Sequence, residues 1–110
     1  MSNPSQFTWV DPTTNTDGTP IAAGEVTGYT IGIRSLSVAG SAAGTYPILA
    51  QVANPTAGTE LLSALGTALK PDSYAAAIRT AGPVPSDWTA EVNFTIAPEQ
   101  PNPPSAFAVS

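Results

Sequence analysis

Apolar and polar residues alternate at period two along most of the chain, which predicts strands rather than helices. The longest run is Trp88, Ala90, Val92, Phe94 and Ile96, interleaved with Thr89, Glu91, Asn93 and Thr95. Its second face is polar, so one side of its sheet is expected to meet solvent. Tyr74, Ala76, Ile78 and Thr80 form a second series against Ala75, Ala77 and Arg79. A third sets Tyr29, Ile31 and Ile33 against Thr30, Gly32 and Arg34, with Gly28 and Gly32 weakening the strand slightly. Tyr46, Ile48, Ala50 and Val52 predict a fourth strand with those four side chains on one face, and Pro47 assigns it to an edge. Phe7-Thr8-Trp9-Val10 predicts a short opening strand, Phe7 and Trp9 inward, stopped by Asp11-Pro12.

The intervening stretches carry turn chemistry. Lys70-Pro71-Asp72-Ser73 predicts a tight turn before the Tyr74 strand, because proline presets φ and Asp and Ser bond to nearby backbone. Gly82-Pro83-Val84-Pro85-Ser86 predicts a stiff loop, and Ser35 to Gly44 a small-residue loop anchored by partly buried Leu36 and Val38. Pro12 to Gly24 is a longer polar loop. Its Asn15-Thr16-Asp17-Gly18 core resembles a piece of a calcium loop but lacks the further acidic ligands and the closing glutamate, so a plain turn is expected and no metal. Thr59 to Leu69 fits two patterns. Leu61, Leu62, Leu65 and Leu69 have helical spacing, whereas Leu61, Ser63 and Leu65 suit the inner face of a short strand followed by an irregular turn through Gly66; the strand is preferred.

Composition narrows the chemistry. A chain of 110 residues suggests one domain able to bury a core without staples. Cysteine and histidine are both absent, which removes disulfides, thiol nucleophiles, the commonest general base and the usual zinc ligands. The acidic residues fall in expected loops or on outer faces, Lys70 sits in a turn, and no Gly-x-Ser-x-Gly elbow is present, so neither an enzyme nor a cofactor is expected. A net charge of −5, with Arg34, Lys70 and Arg79 far apart, disfavours nucleic acid. Met1 to Gln6 lacks the features of a signal peptide and no apolar stretch is long enough to insert in a membrane, so the chain is expected to stay in the cytoplasm or to leave within an assembly. A module trimmed from a larger secreted protein would read the same way.

The order of these segments resembles the fibronectin type III family, an immunoglobulin-like antiparallel β-sandwich. The Trp9 segment is similar to its B strand, Gly28-Tyr29-Thr30-Ile31 to its C strand, Trp88 to Ile96 to its G strand, and Leu69-Lys70-Pro71-Asp72-Ser73-Tyr74 to the Leu-x-Pro-x-x-Tyr signature entering its F strand. The resemblance implies an all-β sandwich over residues 1–97, with Trp9, Tyr29, Leu69, Pro71, Tyr74 and Trp88 as structural residues and the Tyr74 hydroxyl tied back to the preceding turn. Both tryptophans are then core residues, leaving Tyr46 as the only aromatic able to stack on a sugar. The long Thr59 to Leu69 segment departs from the family pattern.

A second departure concerns the family's first strand. Met1 to Gln6 is too short and polar to supply it, yet Pro103-Pro104-Ser105-Ala106-Phe107-Ala108-Val109-Ser110 is similar to it, prolines first and then alternating apolar residues. Residues 98–110 therefore form a proline-rich extension, and Pro103, Pro104, Phe107 and Val109 are candidate partner-binding residues, docking in trans on a neighbouring subunit or another protein. A disordered tail and a tail folded back on its own domain are the alternatives. Because immunoglobulin-like domains recur in bacteriophage particles, the resemblance implies a structural decoration, collar or tail protein of a virion, assembled in the host cytoplasm as a homo-oligomer or with other virion proteins. The competing expectation is an accessory binding or spacer module of an extracellular bacterial surface protein or carbohydrate-active enzyme.

Overall fold

The computed structural model describes residues 3–65, 68–98 and 101–109. They form β1 (Gln6–Thr8), β2 (Gly28–Ser35), β3 (Ile48–Val52), β4 (Thr59–Leu61), β5 (Asp72–Ala81) and β6 (Val92–Ile96), with a single 3-10 turn at Leu62–Ala64. Two antiparallel sheets result, one of order β1-β4 and one of order β3-β2-β5-β6. The architecture is all-β and consistent with a sandwich, the small sheet packing on the large one through the Phe7–Phe94 and Trp9–Tyr29 ring pairs, 5.5 and 5.1 Å between centroids.

The core follows the alternation. Tyr29, Ile31 and Ile33 of β2 and Tyr74 and Ala76 of β5 are buried together with Ala50 and Val52 of β3. Ile31 and Ile33 are fully enclosed, each contributing about 1.5–3 kcal/mol of transfer free energy. Pro47 directly precedes β3, which lies at the edge of its sheet. Phe7 and Trp9 reach the core from the opening segment, although only Gln6–Thr8 is hydrogen-bonded as strand.

Several expectations are corrected. β6 begins at Val92, not Trp88. Ala76 pairs with Val92, but two residues further along β5 the Ile78 carbonyl accepts from the Thr89 amide, three residues back from Val92. The extra residue is a bulge, and a one-residue slip turns every following side chain to the other face. Trp88 is therefore not a core residue; it lies on the outer face of the large sheet, half-buried. Tyr46 crosses to the same face, because the alternation of β3 breaks at Pro47. Its ring packs on Gly32, where an added Cβ would come within 2.5 Å of it. Likewise, a Cβ on Gly28 would collide with the Val52 carbonyl. Both glycines are thus required by close approach rather than being weak points of β2.

In the leucine-rich segment strand and turn divide the residues differently from either pattern. β4 ends at Leu61, which is 51% exposed, and the 3-10 turn then carries Leu62 and Leu65 inward. The turn expected through Gly66 lies outside the described residues. Leu36 and Val38 are exposed rather than anchoring their loop.

Candidate functional site

The most unusual feature of the fold is an uncovered margin. A two-stranded sheet cannot cover a four-stranded one, and the shortfall falls on β6. Its residues Val92, Phe94 and Ile96 face the same side as Tyr74 and Ala76, yet Phe94 and Ile96 are only partly buried and Val92 is 59% exposed. Beside this margin runs β1. Phe7 pairs with Glu60, and the flanking bonds Leu62 N–H to Ser5 C=O (3.0 Å) and Trp9 N–H to Gly58 C=O (3.0 Å) belong to the same set. In an antiparallel ladder the alternate residues, here Gln6 and Thr8, then point their N–H and C=O groups away from β4, to an edge with no strand beside it among the described residues.

Charge and hydrogen bonding fix where this edge begins and ends. The Asn3 side chain brackets the Ala97 peptide just beyond β6, donating to its carbonyl (3.2 Å) and accepting from its amide (2.9 Å). At the other end, Asp11 Oδ1 accepts from the Tyr29 hydroxyl (2.6 Å) and from Trp9 Nε1 (3.0 Å), joining the exit of β1 to β2. Burial first, and then the Asp11 hydrogen bond, push the Tyr29 phenol up to about 12.

The tail supplies the complementary groups. Residues 101–109 form no strand, and Phe107 and Val109 are 91% and 95% exposed, with Pro103 and Pro104 exposed before them. The donated strand expected there is thus not formed within one copy, and Ala106 adopts a positive φ of 56°. Val10, at the far end of the free β1 edge, is as exposed as the tail.

Leu69, Pro71 and Tyr74 sit at the corner where the chain enters β5. The Tyr74 hydroxyl donates to the Lys70 carbonyl (2.5 Å), its ring stacks on Phe94, and Leu69 packs against the core while Pro71 is exposed. Ser35 and Ser37 hydroxyls donate to Asp72 in the same corner and hold its carboxyl below its ordinary value.

A second cluster, on the outer face of the large sheet, has no counterpart in the sequence reading. Arg34 grips Glu91 in a bidentate pair (Nε to Oε2 2.8 Å, Nη2 to Oε1 2.7 Å), and the Tyr46 hydroxyl donates to the same carboxylate (2.8 Å). The Arg34 hydrogen bonds, followed by the Tyr46 one, hold Glu91 down at about 2. Trp88 meets the Tyr46 ring edge-on at 4.8 Å, and the Arg79 guanidinium lies over Trp88 at 4.5 Å. Beneath this layer Ala75 and Ala77 are buried, so the outer face does not simply meet solvent. Arg34 and Glu91 are separated by 57 positions, and no local pattern announces such a pair.

The Asn15–Gly18 loop satisfies itself: Asp17 accepts from the Thr19 amide and hydroxyl, and Asn15 bonds to Thr19 and Gly18. Among the described residues no group of three or more His, Cys, Asp or Glu side chains is placed to hold a metal, and no helix is long and apolar enough to cross a membrane. Comparison with protein-family models, with curated proteins and with solved structures returns no match.

Proposed function

We propose that this chain is a non-enzymatic structural and assembly protein whose C-terminal tail docks on a neighbouring subunit. The observation carrying the reading is the pairing of an open margin, β1 edge plus β6 face, with an exposed segment of alternating apolar residues on the same chain. Burying Phe107 and Val109 would contribute about 1.5–3 kcal/mol each, added to main-chain pairing along the edge. The strand order β1-β4 and β3-β2-β5-β6 is compatible with the B-E and C′-C-F-G sheets of a fibronectin type III-like sandwich that lacks its first strand among the described residues. This supports placing the protein among immunoglobulin-like virion components, as decoration, collar or tail protein. Phe107→Asp should convert assembled chain to monomer in size-exclusion chromatography with light scattering. Normal assembly by that variant, or by a chain cut after Pro98, would sink the reading.

The accessory-module reading gains one observation. Trp88 stands half-buried on the outer face rather than in the core, whereas Tyr46, the aromatic expected to be free for a sugar, is itself buried. Binding to a panel of polysaccharides that is lost in Trp88→Ala would favour that reading.

A further inference from the structure

We infer that the tail of one copy lies antiparallel to β1 of the next, so that copies join head to tail in an open row. The inference rests on the assembly reading above and adds its direction, its register partners and its symmetry.

The polarity follows from the positions of the strand ends. The Asn3–Ala97 bracket places the start of β1 and the exit of β6 at one pole, so the tail leaves from the pole where β1 begins. β1 runs from there toward the opposite pole, where the β1–β2 and β5–β6 loops lie. A strand antiparallel to β1 must enter at that loop pole. To reach it on its own domain the tail would have to climb the β1 edge from the level of Asn3 to that of Trp9, six residues or about 20 Å, and then reverse direction. Residues 97–104 span about 25 Å as polyproline II, which leaves less than two residues for the reversal. Entry at the loop pole of a copy stacked beneath needs no reversal, because the tail already runs in that direction.

Chemistry selects this edge over the other strand edges. Among the described residues two unpaired edges border the incompletely covered Val92, Phe94 and Ile96, that of β1 at Gln6 and Thr8 and that of β6 itself; a strand added to β6 would extend the large sheet beside these side chains, whereas one added to β1 lies in the opposing sheet and faces them. With residues 105–109 extended, Phe107 and Val109 share one face and close over those three side chains, while Ala106 and Ala108 face out. Ala106 leaves its positive φ as the strand forms. At the entrance lies an open cleft of about 980 Å³ between the two loops, bordered by Pro12, Ile21, Val26 and Pro83, which gives the proline-rich stretch a path. Donor and acceptor surfaces lie at opposite poles, so each contact leaves one tail and one edge unused. Such a heterologous contact propagates instead of closing into a pair.

Two one-sided variants test this. Phe107→Asp keeps the edge but loses the donor. Thr8→Pro keeps the donor and removes an edge N–H that β4 does not use, with Val92→Lys as a second acceptor variant at an exposed position. In analytical ultracentrifugation each variant alone should be monomeric, and Phe107→Asp mixed with either acceptor variant should give a 1:1 dimer that does not grow with concentration, while the wild-type chain grows. If both acceptor variants assemble like wild type and Phe107→Asp does not, the tail docks elsewhere: this inference is overturned and the assembly reading stands. A wild-type species of fixed size at all concentrations above dissociation overturns the open row. Wild-type chain that stays monomeric throughout, or Phe107→Asp that assembles normally, overturns both.

Discussion

The two faces of the large sheet meet their surroundings in opposite ways. On the outer side, Arg34, Glu91, Tyr46 and Trp88 form a closed layer in which the carboxylate, one guanidinium and the phenol find partners within the chain, and small residues beneath them are sealed from water. On the inner side, β6 keeps half-covered apolar residues beside an unpaired strand edge. The first surface is sealed within one copy, with the Arg79 Nε its one buried polar atom lacking a hydrogen-bond partner among the described residues. The second has the composition of a core and the exposure of a surface, the combination expected where the missing cover comes from another chain.

Mutations should separate the two. The largest effect is expected from Tyr46→Ala, which removes a buried ring from Gly32 and Trp88 and leaves Glu91 one donor short; by analogy with large-to-small aromatic changes it should cost about 3–5 kcal/mol in urea unfolding. A cost under 1 kcal/mol would mean that the outer layer is ornamental. Acid should act on the same side. Because the folded Glu91 carboxyl is held at about 2 against an ordinary 4.5, its contribution is fully present above 4.5 and is lost as pH falls toward 2. Glu91→Gln should therefore flatten the fall in stability between pH 4.5 and 2, leaving the part due to Asp72, whose carboxyl is also lowered. An unchanged acid limb would break the assignment. The smallest effect is expected at the open margin: Val92→Ser should change the stability of the isolated domain by about 0.5 kcal/mol or less, yet weaken assembly measurably. Equal losses in both measurements would erase the distinction between the two faces.

Much of the large sheet was legible from alternation alone, because β2 and β5 run without interruption and each puts its bulky residues on one side. The Leu-x-Pro-x-x-Tyr stretch likewise placed the Tyr74 hydroxyl beside its own turn. Trp88 was misread because period-two counting assumes continuous register, and the extra residue between Val92 and Thr89 leaves no mark in composition. Tyr46 was misread at a similar break, where Pro47 allowed the chain to change faces just before β3. The Arg34–Glu91 pair was invisible for a different reason: Arg34 lies in β2 and Glu91 just before β6, and these strands are not neighbours in the sheet. The tail has the alternation of a strand but forms none within one copy, because whether such a segment pairs depends on which edge it can reach, a property of the folded molecule.

The Asn3 bracket bears on how force would travel through the molecule. A pull on residues beyond Ala97 does not act on the end of β6 alone, because Asn3 holds that peptide from both sides and is itself continuous with β1 in the other sheet. Tension is shared between the two sheets at the point where it enters. Peeling β6 away one bond at a time is thereby resisted, and the strands are loaded along their length, the direction in which several hydrogen bonds must break together.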